Sequence, residues 1–251
     1  MSHKSDYKSL LSELDRERLP KHIGIIMDGN GRWAKAHHRP RLLGHRAGAK
    51  STRLAVELAV ELKIPCLTTY AFSTENWSRP QSEVDGLMKL IKELLISEVP
   101  ELHRQNVKLR FIGSPHGVQA SLWQEIHQLA SVTHKNTGLQ LNVAFNYGSR
   151  TEIIEAFQKV YQKAQQNPQV IEQLDIHNFG DYLYTAGMPD PDLIIRTSGE
   201  MRISNFLLWQ AAYAEIYVTP LFWPDFDKKQ FVIALLDYQN RIRRFGGLQG
   251  T

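Results

Sequence analysis

Short apolar runs alternate with amphipathic stretches along the chain, and the alternation predicts its elements. Ile23-Gly24-Ile25-Ile26-Met27 reads as a buried strand, stopped by Asp28-Gly29-Asn30-Gly31. Residues 46–62 change to a helical pattern, with Leu54, Leu58 and Leu62 on one face. Residues 66–72 are rich in strand formers. A long helix from about Glu83 carries Leu87, Leu90, Ile91, Leu94 and Leu95, and Pro100 is expected to break or kink it. Further strands are expected at 107–112, 139–145, 192–196 and 215–218. The helices between and after them fall at 119–132, 151–165, 204–212 and 227–245, with a short one near 175–184.

Strands separated by helices of this length point to βαβ units and an α/β fold: a largely parallel sheet of about six strands, flanked by helices. No linker-like tract or internal repeat divides the chain, so one domain is expected at 20–247. A polar N-terminal extension at 1–19 precedes it and a short tail at 248–251 follows. In such sheets ligands bind beyond the carboxyl ends of the strands. The unusual polar clusters lie there: Asp28 to Trp33, Ser73 to Arg79, Asn146 to Arg150, and Arg196 to Arg202.

Of the 251 residues, 42% are hydrophobic and 22% charged, which excludes a disordered or collagen-like chain. The net charge of +4 suits an anionic substrate or a lipid surface and does not by itself indicate nucleic acid. The single cysteine, Cys66, forms no internal disulfide and fits a reducing compartment; it reads as a small buried apolar group. No run approaches the roughly 20 apolar residues of a membrane span, and the N-terminus lacks a signal-peptide core. A soluble cytosolic protein is expected, with peripheral membrane contact left open.

Each cluster has a chemical and a plain structural reading. Asp28 stands between a strand and two glycines that let backbone N–H groups approach a ligand, and it suits magnesium; Asp-Gly and Asn-Gly are also ordinary turn pairs. Arg39, Arg41, His45 and Arg46 around Gly44 suit a diphosphate clamp or a solvated basic surface. Glu75-Asn76-Trp77 with Arg79 is more distinctive, since Ser82, Glu83 and Asp85 already offer capping for the next helix. Arg196, Arg202 and Ser204 form a second cationic cluster, with Ser204 also a candidate N-cap. Glu215 opens an apolar strand, an expensive place for a carboxylate unless it meets a cation or an arginine. The acidic pairs at Asp190/Asp192 and Asp225/Asp227 are bounded by proline and read as turns or caps, and adjacent His37 and His38 make no metal site.

Together these segments resemble the cis-prenyltransferase family. The likeness rests on residues 22–34, Gly44-His45-Arg46-Ala47-Gly48, residues 70–80, residues 142–148, residues 192–196, Gly199-Glu200, residues 202–210, Ala214-Glu215 and Trp223-Pro224-Asp225-Phe226, in the expected order. The resemblance implies a homodimer of α/β subunits, each with a hydrophobic tunnel. It implies repeated condensation of isopentenyl diphosphate onto farnesyl diphosphate, giving undecaprenyl diphosphate, the carrier-lipid precursor for bacterial cell-wall polysaccharide. Magnesium is implied at Asp28 and Glu215. The starter diphosphate falls to Gly29, Asn30, Gly31, Arg32, Trp33, Arg41 and His45. The homoallylic diphosphate falls to Arg196, Arg202, Ile203 and Ser204. Asn76 matches the position assigned as proton acceptor, beside Ser73, Thr74, Glu75, Trp77 and Arg79. A neutral amide is a poor base, and a diphosphate oxygen competes for the proton.

By the same resemblance Leu87, Met88, Ile91, Leu95, Leu139 and Val143 line the tunnel, although each is equally explicable as ordinary core. Two residues depart from the pattern: Met201 stands where relatives often carry His, and Thr52 faces the tunnel. The basic run from Arg241 to Gly247 is expected either to fold over the partner's site or to be a frayed helix end. Rival readings are a haloacid-dehalogenase-like phosphatase, whose second carboxylate would fall at Asn30; a nucleic-acid-binding module; and a noncatalytic prenyltransferase subunit.

Overall fold

The computed structural model describes residues 2–243. The tail at 248–251 and the run from Arg244 to Gly247 lie outside them. The strands are β1 (His22–Ile26), β2 (Cys66–Ser73), β3 (Lys108–Ile112), β4 (Gln140–Tyr147), β5 (Leu193–Arg196) and β6 (Glu215–Val218). They form a sheet in the order β3-β4-β2-β1-β5-β6 with every pairing parallel. The helices are α1 (Ser2–Glu13), α2 (Asn30–Ala36), α3 (Arg41–Glu61), α4 (Gln81–Arg104), α5 (Ala120–Ser131), α6 (Ser149–Gln166), α7 (Gln169–Glu172) and α8 (Lys228–Gln239).

The two faces of the sheet follow the strand period of two. Ile23 and Ile25 of β1 and Leu193 and Ile195 of β5 join the main core with Leu58, Leu87, Ile126 and Phe231 from four helices. The alternate residues Ile26, Ala144 and Ile194 pack on the other face against Tyr147, Phe206 and Leu207. Burial on both faces explains why the strands read as continuous apolar runs without alternation.

Two sequence expectations are corrected. The helix expected at 204–212 is absent: Ser204, Asn205 and Leu207 take positive φ (48°, 60° and 48°), and only a 3₁₀ turn, Gln210–Tyr213, follows. Fully buried Phe206 and Leu207 hold this shape by tertiary packing, so Ser204 caps no helix. Pro100 does not end α4, which runs on to Arg104. Pro100 lies on the exposed side of the helix, as does Ile96, whose carbonyl receives no N–H from the proline. Within the polar N-terminal extension expected at 1–19, Tyr7, Leu10 and Leu11 pack on the core and Leu14 is buried in it. Smaller shifts are a 3₁₀ turn at Phe179–Tyr182 in place of the short helix, and an end to α8 at Gln239.

Candidate active site

At the carboxyl end of β1 the chain turns through Gly29, whose φ of 101° only glycine adopts at little cost. A Cβ there would also lie 2.0 Å from the Ser198 hydroxyl. The turn fixes Asp28 from behind: its carbonyl accepts from the Thr197 hydroxyl (2.7 Å) and the Trp223 N–H (3.0 Å). The Asp28 carboxylate then faces Arg196 Nη2 at 2.9 Å and Arg32 Nη2 at 3.1 Å. Partial burial would raise its pKa, but hydrogen bonds and charge from Arg196 and Arg32 prevail and hold it below the ordinary aspartate value. Asp28 is therefore ionised at neutral pH.

Arg32 also pairs with Glu200 at 2.6 Å. The α2 and α3 backbones meet closely, since a Cβ on Gly44 would sit 2.0 Å from the Asn30 carbonyl oxygen. The result is an open cleft of about 700 Å³ lined by Asp28, Gly29, Asn30, Gly31, Arg32, Arg41, His45 and Arg79, with Lys35, His38, Arg39 and Pro40 completing it. Glu83 tethers Arg41 (3.3 Å) and Arg79 (3.2 Å). His45 Nε2 is buried and has no hydrogen-bond partner among the described residues. Burial, then the charges of Arg79 and Arg41, push its pKa down to about 4, so the ring is neutral. A cationic cleft holding a buried, unpartnered nitrogen is built for an anion with several oxygens.

Arg196 joins this cleft to the second cluster. Its side chain is nearly buried, and Nη1 donates to the Ser204 hydroxyl (2.8 Å) and to the Arg202 carbonyl. Arg202 itself pairs with Glu200. Glu75 accepts from Asn205 Nδ2 (2.9 Å) and Thr74 Oγ1 (3.1 Å), tying the 74–78 turn to the Ser204 loop. Partly buried Ile203 packs on the second core. Asn76 Oδ1 accepts from the Ser73 N–H at 3.1 Å and closes a capping box on that turn. Trp77 Nε1 donates to Asn146 Oδ1 at 2.7 Å, and Asn146 is held by the Ser114 and His116 carbonyls.

Residues 73–77 and 202–204 form this second cluster beside the cleft and do not line it, and Trp33 and Glu215 lie outside both. Trp33 is not on the cleft wall; its Nε1 donates to Asp225 at 2.8 Å and its ring stacks on His37. Glu215 begins β6 beside Leu193, at the amino end of the sheet, and pairs with Arg241 at 3.0 Å. Asp28 lies beyond Ile26, which is level with Arg196 and, through it, Val218. Three strand residues, on the order of 10 Å, separate Val218 from Glu215 along β6. The expectation that both carboxylates share one magnesium within a subunit is therefore corrected.

The remaining donor set still fits that ion. Among the described residues no three acidic, His or Cys side chains form a cage. Magnesium needs none, since one carboxylate with water and substrate phosphate is its usual shell.

Behind the cleft, a narrow apolar channel of about 170 Å³ runs between α3, α4 and the sheet. Ile91, Leu95 and Val143 line it as expected, with Thr52 facing it, whereas Leu87, Met88 and Leu139 serve the core. Met27 lines both cleft and channel. The sequence reading missed Lys35, although its three-residue spacing from Arg32 on α2 was visible. It gave no role to Asn205, whose importance depends on a left-handed loop that local patterns do not announce. At Asn30, where a phosphatase would need its second acid, the side-chain oxygen is buried toward Gly48.

Cleft and channel together make a site for an anionic head group with an apolar tail. Residues 26–246 match the family model of undecaprenyl diphosphate synthase. An isoprenyl transferase of Heliobacterium mobile is 49% identical over 245 residues, covering 98% of this chain and 94% of that protein. A ditrans,polycis-undecaprenyl-diphosphate synthase of Pasteurella multocida, farnesyl-diphosphate specific, is 46% identical over 94% of this chain and 99% of its own. The crystal structure of lavandulyl diphosphate synthase from Lavandula x intermedia, in complex with dimethylallyl diphosphate, superposes with a TM-score of 0.88 at 35% identity, covering 92% of this chain and 99% of that one. This chain belongs to the undecaprenyl diphosphate synthase family of cis-prenyltransferases, and its activity is cis-prenyl chain elongation.

Proposed function

We propose that the protein condenses isopentenyl diphosphate repeatedly onto farnesyl diphosphate and releases undecaprenyl diphosphate, the precursor of the lipid that carries bacterial cell-wall polysaccharide. The observation that carries this reading is the wall shared at Met27, where a cationic cleft adjoins an apolar channel. In it, Arg41, His45, Arg79 and the Gly29–Gly31 backbone hold the starter diphosphate, and Arg196, Arg202 and Ser204 hold that of isopentenyl diphosphate. Asp28 holds magnesium, which supplies charge stabilisation for the departing diphosphate.

The allylic carbon–oxygen bond breaks, the isopentenyl double bond supplies the electrons of the new carbon–carbon bond, and one proton leaves. Asn76 orients the isopentenyl group. Its Oδ1 already accepts from Ser73, and a neutral amide is no base, so the proton goes to a diphosphate oxygen. Water is excluded where the tail passes Met27 into the channel.

The working form proposed is a homodimer in the cytoplasm, in peripheral contact with the inner face of the membrane when product leaves. No helix among the described residues is long and apolar enough to cross a membrane. Edge strand β6 exposes Ile216, and Tyr213 beside it is also exposed, which suits a second copy. Glu215 can serve a magnesium only across such an interface.

The test is incubation with farnesyl diphosphate, labelled isopentenyl diphosphate and magnesium, followed by product sizing, with a chelator control. Eleven-unit chains that disappear on chelation are expected. A short product, or turnover indifferent to chelation, would defeat the reading.

A further inference from the structure

The channel is apolar along most of its walls, and its charged lining is confined to Arg53 of α3 and Glu98 and Glu101 of α4, with Gln105 just beyond that helix. Arg53 and Glu98 meet fork to fork, Nε donating to Oε2 at 3.0 Å and Nη2 to Oε1, across the gap between the two helices. Glu101 is held to its own helix by Arg104 (Nε to Oε2, 2.8 Å) and Gln105. Arg53 is 55% exposed and Glu98 24%, so this pair stands where the channel meets solvent.

We propose that the Arg53–Glu98 ion pair is a latch that closes the channel's mouth to solvent between α3 and α4 and helps set the length at which the product stops growing. The proposal rests on the elongation reading above. A tail that fills the channel reaches this mouth with its apolar end. To go further it must part the pair and lie against Glu98 and Glu101, leaving charges pressed on hydrocarbon without their partner. Growth past this point must displace the pair, a small cost that biases product length without barring elongation. An exposed pair contributes little to fold stability, so its role shows in product size and not in melting temperature. The latch touches neither diphosphate nor reacting carbon, and acts as a specificity-determining contact.

The experiment compares the wild type with Arg53→Ala, Glu98→Ala and the double exchange Arg53→Glu with Glu98→Arg. Each is given farnesyl diphosphate, labelled isopentenyl diphosphate and magnesium; products are dephosphorylated and sized, and melting curves are recorded. Both single variants are expected to move the distribution to longer chains, with the rate of the first condensation within about twofold of wild type. The double exchange is expected to return the distribution to that of wild type. Folded single variants with unchanged product length, or a double exchange that stays long, overturn the latch while leaving chain elongation intact. A wild type that makes no chain overturns the elongation reading, and the latch falls with it.

Discussion

Both rims of the sheet carry carboxylates facing arginines, and they differ in what those partners leave open. At the amino end Asp192 accepts from the N–H groups of Lys21 (2.7 Å) and His22 (3.3 Å) and from Arg243 (2.5 Å), lacing three chain segments together. At the carboxyl end Asp28 has two arginines but also an open cleft, with an unpartnered His45 nitrogen on the cleft wall. Both rims border open volume, about 420 Å³ beside Asp192 and about 700 Å³ beside Asp28, and the carboxyl cleft differs in holding the neutral His45 ring with its buried nitrogen unmet. Acid–arginine pairs alone therefore do not mark a site; unmet hydrogen-bonding capacity beside open volume does.

The largest effects should separate the rims by kind. Asp28→Ala is expected to lower kcat by roughly 10²- to 10³-fold, since it removes the carboxylate proposed to hold magnesium at the departing diphosphate. Its circular dichroism should stay close to that of wild type. Next, Arg196→Met strips three charge-assisted bonds, to Asp28, the Ser204 hydroxyl and the Arg202 carbonyl, each of about 1.5–3 kcal/mol, and is expected to raise KM for isopentenyl diphosphate by roughly 10- to 100-fold. A change confined to KM for the starter would reverse the assignment of the two diphosphates. Asp192→Ala should do the opposite of both: about 1–3 kcal/mol lost in urea unfolding because backbone donors are left unpaired, with kcat preserved. Were Asp192→Ala to lose turnover at full stability, the contrast between the rims would collapse.

Much of this was legible in advance, for identifiable reasons. Ile23, Ile25, Leu193 and Ile195 are buried on both sides of the sheet, and continuous apolar runs are what such strands must look like. The cleft was legible because Asp28, Arg41 and His45 flank glycines whose absent side chains let α2 and α3 touch. What could not be read depends on contacts distant in sequence. The loop at Ser204 looks helical locally, yet Phe206 is claimed by Ile26 and Ile194 across the sheet. Glu215 looked like a metal ligand because residue type says nothing of which end of a strand faces the cleft; parallel pairing with Leu193 decides it. Pro100 misled because its rule ignores which side of a helix is wet.

The smallest and most discriminating prediction concerns His45. Its pKa is driven down to about 4 from 6.5 by burial first and by Arg79 and Arg41 after it. The fold thus favours the neutral ring: the stability this group contributes is complete above about pH 6.5 and is lost as pH falls toward 4. A bound diphosphate reverses both influences, offering a partner to Nε2 and negative charge against the two arginines. The ring's pKa should then climb, and binding should take up a proton between those two pH values. Histidine C–H resonances titrated with and without inorganic pyrophosphate, and assigned through a His45→Asn variant, read this directly. A resonance that titrates identically in both conditions would place the diphosphate away from His45, and would make the buried nitrogen a packing defect of the carboxyl rim instead of part of its site.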